Sequence, residues 1–287
     1  PRYAMMSNIV PAVVNIAMDY ILIFPCGMGL KGAALATDIG QACGVALVLF
    51  YMLAMPRSLR FYRLKASATS LRLTLRNVGY MVKVGFSGFL GELAVSALMM
   101  TGNIMFGRYL GDDGVAAYSI ICYLFPLIYM TYTAIAQSAQ PIISYNYGAA
   151  SYDRVHKTLR HSLMIAIVIG ALFSMAFILF PQSIVGIFIA SKGGTYALAS
   201  QGLPYFSVGF IFMAVNICYI GYLQSIERPQ LATLYTMLRG ILFMVANFIL
   251  FPMAMGNVGL WIAVPCSELF TLAVILIVRQ INLIKQQ

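Results

Sequence analysis

Apolar residues recur along this chain in long uninterrupted stretches, and the charged positions collect in the short segments between them. A helix crossing a bilayer needs about 20 mostly apolar residues, because the hydrocarbon core is about 30 Å thick and each residue rises about 1.5 Å. Residues 4–24, 32–53, 78–106, 115–143, 158–180, 196–223, 231–251 and 258–278 meet that requirement. Turn-forming residues stand between them, such as Pro25-Cys26-Gly27, Gly111-Asp112-Asp113-Gly114 and Glu227-Arg228-Pro229. The pattern predicts an all-α fold: a polytopic helical membrane protein with about eight transmembrane helices. Several stretches are longer than a bilayer requires, which predicts tilt, kinks or helix running on into water.

Sliding the chain against itself by 227 positions aligns the first two spans with the last two without a gap. Phe24-Pro25 meets Phe251-Pro252, Gly29 meets Gly256, Gly32 meets Gly259, Ala36 meets Ala263, Ala46 meets Ala273 and Leu49 meets Leu276. The offset holds about six spans, so the repeat is a six-helix unit that enters the membrane in the same orientation each time, a transporter signature. The first unit shows only its last two helices, and about four further spans are expected ahead of Pro1. The predicted organisation is residues 1–55 as the last two helices of one lobe, 56–76 as a basic linker, and 77–287 as a six-helix lobe.

Composition supports the same class. Of 287 residues, 61% are hydrophobic and 9% charged, against roughly 25% charged in a soluble domain. The net charge of +10 does not signal nucleic acid, because the basic residues sit in connectors rather than on a surface interleaved with aromatics. Alternating the connectors puts Arg2, Arg57, Arg60, Arg63, Lys65, Arg72, Arg76, Arg154, Lys157, Arg160, Arg228, Arg279 and Lys285 on one side, with Lys31, Arg108 and Lys192 opposite. Positive charge marks the cytoplasmic side, so both chain ends and the linker, an amphipathic segment at the bilayer surface, are expected in the cytoplasm of a multi-pass plasma (inner) membrane protein. The five cysteines show no metal-like spacing. Since no HExxH, GxSxG, phosphate loop or Cys/His cluster occurs, neither an enzyme nor a bound cofactor is expected.

An ionisable group at the centre of a membrane helix costs about 3 kcal/mol or more and demands a partner, a wet cavity or a function. Asp19 lies deep in the first span, four residues after Asn15, so both occupy one helix face. A hairpin bringing Thr37 close would assemble an all-oxygen site for Na⁺ or a trap for a proton; the alternative is that Asn15 and Asp19 join helices by hydrogen bonds. Glu92, among small residues in Gly88-Phe89-Leu90-Gly91-Glu92-Leu93-Ala94, suits a cationic substrate or a proton, or else a pairing with Arg239 or Lys83. For Glu268 a structural pairing with Arg239 is expected. In the fourth span Tyr118, Tyr123, Tyr129 and Tyr132 cluster with Met130, offering aromatic faces to an organic cation and a pliable side chain to varied shapes. His156 and His161, five apart, do not share a helix face.

The runs Asn15-Ile16-Ala17-Met18-Asp19-Tyr20-Ile21-Leu22-Ile23-Phe24, Gly32-Ala33-Ala34-Leu35-Ala36-Thr37 and Gln140-Pro141-Ile142-Ile143-Ser144-Tyr145-Asn146-Tyr147-Gly148-Ala149 resemble the multidrug and toxic compound extrusion (MATE) transporters, which have twelve helices in two six-helix lobes. The resemblance covers the whole chain and implies helices five to twelve. It implies that Asn15, Asp19 and Thr37 belong to the N-lobe cation or proton site, whose acid on helix one lies outside this chain. Glu92 resembles the helix-seven carboxylate of the branch with a C-lobe cation site. On helix ten the sequence departs from that branch: no acid lies between Tyr205 and Gln224, which argues against sodium coupling there and leaves Asn216 as the polar candidate at depth. The implied function is a secondary active antiporter, expected to be monomeric in the lipid bilayer, that exports small organic cations or other xenobiotics in exchange for H⁺ or Na⁺. A lipid-linked saccharide flippase would need a strongly cationic cavity, and the spans offer chiefly Arg239. A membrane-embedded acyltransferase would need a His beside an acid or a metal, and only His156 and His161 are present.

Overall fold

The computed structural model describes residues 2–54, 67–189 and 193–284. Arg57, Arg60, Arg63, Lys65, Lys192 and Lys285, and the side chain of Arg2, lie outside the described residues. Within them every regular element is a helix, and contacts group the chain into two compact units, Pro1–Thr74 and Leu75–Gln287.

The first unit is built on the hairpin of α1 (Arg2–Ile23) and α2 (Gly29–Ala54). Gly27 and Gly29 turn the chain with positive φ of 63° and 52°, a region that side chains with a Cβ rarely enter. A stripe of small residues, Gly32, Ala36, Gly40 and Gly44, forms the buried face of α2. A Cβ at Gly40 would stand 2.8 Å from the Pro11 carbonyl oxygen. Small side chains at every fourth position let two helix backbones close together in lipid, where water supplies no drive for association.

Helix α3 (Ala68–Gly148), which enters the second unit at Leu75, is broken by Gly111 (φ 64°, ψ −155°) into a first arm, residues 68–110, and a second arm, residues 112–148. Helix begins inside the segment predicted as linker, since Ser67 Oγ accepts the Ser70 N–H at 3.2 Å and caps the first turn. Arg72 and Arg76 therefore stand on helix. Tyr118 of the second arm fits the space left by Gly102 of the first, and its hydroxyl donates to the Leu98 carbonyl at 2.9 Å. The arms are therefore antiparallel neighbours.

After α4 (Tyr152–Leu179) and a short α5 (Pro181–Phe188), α6 (Gly194–Ser207) and α7 (Gly209–Ser225) follow with a 45° bend between them. Pro204 withholds a donor from the α6 ladder, and the Ser207 carbonyl at the break accepts the Ser174 hydroxyl of α4 at 2.7 Å. α8 (Pro229–Met237) passes through a π-helical turn, Leu238–Leu242, into α9 (Phe243–Met255), and α10 (Asn257–Ile284) closes the described chain. Among the described residues six helices are long and apolar enough to cross a membrane, and the bent α6–α7 pair makes a seventh. With the arms of α3 counted separately there are eight, as the hydropathy pattern predicts.

The core near the Gly111 turn is aromatic. Phe106 stacks on Tyr118 with ring centroids 4.6 Å apart and meets the edge of Trp261 at 4.8 Å. Trp261 lies directly over Gly202, where any Cβ would collide with the indole. Gly202→Ala should therefore cost about 1–3 kcal/mol through overpacking, read as a lower unfolding midpoint in detergent. The same change made on top of Trp261→Ala should cost much less, because the two residues share one space. Equal costs in both backgrounds would disprove the contact.

A second apolar cluster lies at the opposite end, around Ile143, Val155, Leu223 and Ile275. There Tyr219 and Tyr222 feel the charges of both Arg228 and Arg279. At the aromatic end, Thr195 donates to Asp113. Within this unit Asp113 and Thr195 thus lie at one end, and Arg228 and Arg279 at the other. The repeat is also visible in each hairpin taken by itself. Gly256 has φ 61° where its counterpart Gly29 has 52°, and Gly259, like Gly32, abuts backbone of the preceding helix.

Candidate functional site

In the α1–α2 hairpin, close approach at Gly40 brings Asn15 against α2, and its Nδ2 donates to Thr37 Oγ1 at 3.4 Å. The Thr37 hydroxyl in turn donates to the Ala33 carbonyl at 3.0 Å. Asp19, half-buried, stands one turn beyond Asn15 on α1 and forms no hydrogen bond or ion pair with any described residue. Asn15 and Thr37 are thus brought together, and the carboxylate is left with its valence free on the same helix.

The six-helix unit encloses a polar cavity of about 230 Å³. Ser87, Gly88, Gly91 and Glu92 of the first arm form one wall, and Tyr129, Thr133, Gln137 and Gln140 of the second arm form another. Gln224 of α7, Thr236 of α8 and Arg239 of the π turn add polar surface, and Ala136, Ile217, Ile220 and Gly221 an apolar part. The second-arm residues recur at helical spacing, which lines them on one face. Gly91 admits the Tyr129 hydroxyl, which would lie 2.8 Å from a Cβ at that position. A chain of neutral hydrogen bonds crosses the cavity floor: Gln140 Nε2 donates to Gln224 Oε1 at 2.9 Å, Gln224 Nε2 donates to Ser87 Oγ at 3.1 Å, and Ser87 Oγ lies 3.4 Å from Thr236 Oγ1.

Two charged side chains face this space, and they differ in their partners. Arg239, 5% exposed, is paired with Glu268 of α10: its Nε donates to Oε2 at 3.0 Å and its Nη2 to Oε1. This is the one ion pair among the described residues. Asn216 of α7 donates through Nδ2 to Glu268 Oε2 and to the Glu268 carbonyl, both at 2.8 Å. The Arg239 guanidinium lies 5.9 Å from the Tyr129 ring centroid, within cation–π range. Glu92 is exposed to the cavity side and pairs with neither Arg239 nor Lys83. With Arg239 neutralised, Glu92 leaves the cavity wall with a net negative charge.

The aromatic candidates separate. Tyr129 lines the cavity, but Tyr118 is 1% exposed and committed to the aromatic core. Tyr132 is buried as well, with its hydroxyl unpartnered. Tyr123 and Met130 are exposed on another face of the arm, Tyr123 stacked on Phe188 at 6.1 Å. Asn216 is wholly buried and serves Glu268 instead of the cavity. The Tyr118 and Asn216 expectations are thus corrected: burial and fixed partners keep both from a ligand in this arrangement. Missing from the expectations were the amides and hydroxyls, Gln137, Gln140, Gln224, Thr133, Ser87 and Thr236. Their signal was polar residues at helical spacing within apolar spans, which a search for acids and aromatics passes over. No group of three or more His, Cys, Asp or Glu residues suited to a metal occurs among the described residues.

A family model described as MatE matches residues 89–250. The multidrug export protein MepA of Staphylococcus saprophyticus is 24% identical over 279 residues, and the match takes in 97% of this chain and 60% of the relative. MepA of Staphylococcus aureus is 23% identical over 284 residues, with the same coverage. The chain thus spans about 60% of the length of the curated relatives it matches. Among solved structures, an outward-facing multidrug resistance MATE family transporter of the MOP superfamily superposes with a TM-score of 0.86 at 18% identity, over 99% of this chain and 63% of that one. A MOP superfamily transporter from Pyrococcus furiosus, described as having a binding pocket of reverse polarity, superposes at 0.83, over 94% of this chain and 60% of that one.

Proposed function

Because the chain belongs to the MATE family of transporters, we propose that it acts in a secondary active multidrug antiporter of the plasma membrane, which exports organic cations in exchange for H⁺ or Na⁺. The observation that carries this reading is Glu92, an unpaired acid on a 230 Å³ cavity whose other walls are neutral hydrogen-bonding groups, the apolar surface of Ala136, Ile217 and Ile220, the Tyr129 ring and a neutralised arginine. A carboxylate in such a wall attracts a positive charge, Tyr129 adds an aromatic face, and the amides accept varied shapes without a charge of their own. The N-lobe hairpin supplies the coupling site in this proposal, with Asp19 as the group that takes the incoming ion and Asn15 and Thr37 as neutral oxygen donors beside it. Export follows when cargo and ion favour opposite access states, since a ligand that binds both states equally shifts nothing. The basic ends are assigned to the cytoplasm, and the protein is taken to act as a monomer.

The test uses cells without their own drug exporters, expressing the complete reading frame that encodes this chain. Glu92→Gln should slow export of a monovalent cationic dye by about tenfold, the loss of one weakly screened charge contact of about 1.4 kcal/mol, and leave an uncharged dye unaffected. Unchanged cationic export would remove Glu92 from the site. A flippase reading has no comparable support, because the only cation facing the cavity among the described residues is held by Glu268.

A further inference from the structure

Arg239 belongs to two spaces. It lines the cavity that contains Glu92, and it also lines a void of about 20 Å³ shared with Gly91, Tyr129 and Glu268. A void of that size has room for one water, and it reaches both Arg239 and Glu268. Burying an ion pair yields little stability over an apolar pair of the same shape, so stability alone does not account for it.

Asn216 supplies the second clue. Its Nδ2 serves Glu268 twice, but its Oδ1 has no partner although the residue is wholly buried. An ionised carboxylate cannot satisfy that oxygen, because it carries no proton to donate. A protonated Glu268 can: one oxygen keeps accepting from Nδ2 while the other donates its O–H to Oδ1. The local backbone is equally suggestive, because Arg239 stands in a π-helical turn whose freed carbonyl accepts the Ser267 hydroxyl at 2.6 Å, and such turns concentrate at functional positions.

We infer that Glu268 is a second proton-binding residue, and that its protonation releases Arg239 to pair with Glu92 and displace the cationic cargo. The inference rests on the reading of Glu92 as the cargo anchor. One proton arrives on Glu268, the Arg239 charge moves to Glu92, and one monovalent cation leaves, so the charge of the site is unchanged over the exchange. The titratable and charged groups around Glu268 are consistent with this. Arg239 comes from the π turn, Tyr129 and Tyr132 from the second arm, Glu92 from the first arm across the cavity, and Cys218 from α7 beside Tyr132. The α9 segment carries no titratable side chain, and in α6 Tyr196 is bonded to the Gln182 carbonyl while Tyr205 is exposed. Arg239 is thus the one cation available to compete with cargo among these groups.

Equilibrium binding of a monovalent cationic dye to the purified complete protein at neutral pH tests this, with an uncharged dye of similar size as control. Glu268→Gln imitates the protonated acid and should weaken the cationic dye about tenfold, as expected when only a tenth of the molecules keep Glu92 free, without affecting the uncharged dye. Arg239→Gln added to Glu268→Gln should restore the affinity to within about threefold, because the internal competitor is gone. Normal affinity in Glu268→Gln, equal weakening of both dyes, or no rescue in the double variant would each overturn the inference. If Glu268→Gln does not fold, acid-driven dye release from the parent is compared with the double variant, where the midpoint should move to lower pH; an unmoved midpoint overturns it. Cationic binding that survives Glu92→Gln would instead sink the reading beneath it, whereas weak binding in Glu92→Gln with no rescue sinks this inference alone.

Discussion

Exchanging Glu268 for leucine should destabilise the protein by about 3–5 kcal/mol, the usual cost of leaving a buried charge without its partner. Arg239 is 5% exposed and Glu268 3%, so the guanidinium loses its buried partner and regains a charged one only by turning out to Glu92 across the cavity. Asn216 would lose its side-chain acceptor at the same time and keep only the carbonyl of residue 268. The measurement is unfolding of the purified protein in detergent, and the companion variant carries Arg239→Met with Glu268→Leu. Because apolar residues can replace a buried pair at little cost, the double change should recover most of the loss. Parent-like stability of the single variant would mean that the pair contributes nothing.

The second large effect is expected on transport. Asp19→Asn keeps the shape of the side chain and its capacity to hydrogen-bond, but removes the charge that no described residue neutralises. If Asp19 takes the driving ion, export against a gradient in vesicles should fall at least about tenfold while dye binding persists, because a ligand with no preference between states cannot drive their exchange. Thr37→Ala removes only a neutral oxygen that α2 already satisfies and should have a milder effect. Full ion-driven export by Asp19→Asn would move the coupling site elsewhere.

Most of the fold can be read from the chain because lipid imposes a simple rule: backbone polar groups must be satisfied within the helix. Span number, the antiparallel arms at Gly111 and the Arg239–Glu268 pairing all follow from apolar length, turn residues and the cost of a lone charge. Residue type alone does not decide which aromatic faces the cavity. Tyr118 and Tyr129 look equivalent in sequence, yet one fills the hollow at Gly102 and the other faces the cavity through Gly91. What separates them is which glycine stands opposite on the first arm, a tertiary pairing that no local pattern carries. The π turn at 238–242 was equally hidden, since nothing in Leu-Arg-Gly-Ile-Leu departs from ordinary helix composition. The small residues at 32, 36, 40 and 44 on the buried face of α2 are what lets Asn15 reach Thr37.

The left-handed glycines at 29 and 256 tie the fortunes of two distant places in the chain. Each closes a helical hairpin with a backbone shape that costs an L-amino acid roughly 1–2 kcal/mol, so any other residue at either position weakens its own corner. The two matching hairpins thus share a pair of conformational vetoes more than a set of side chains.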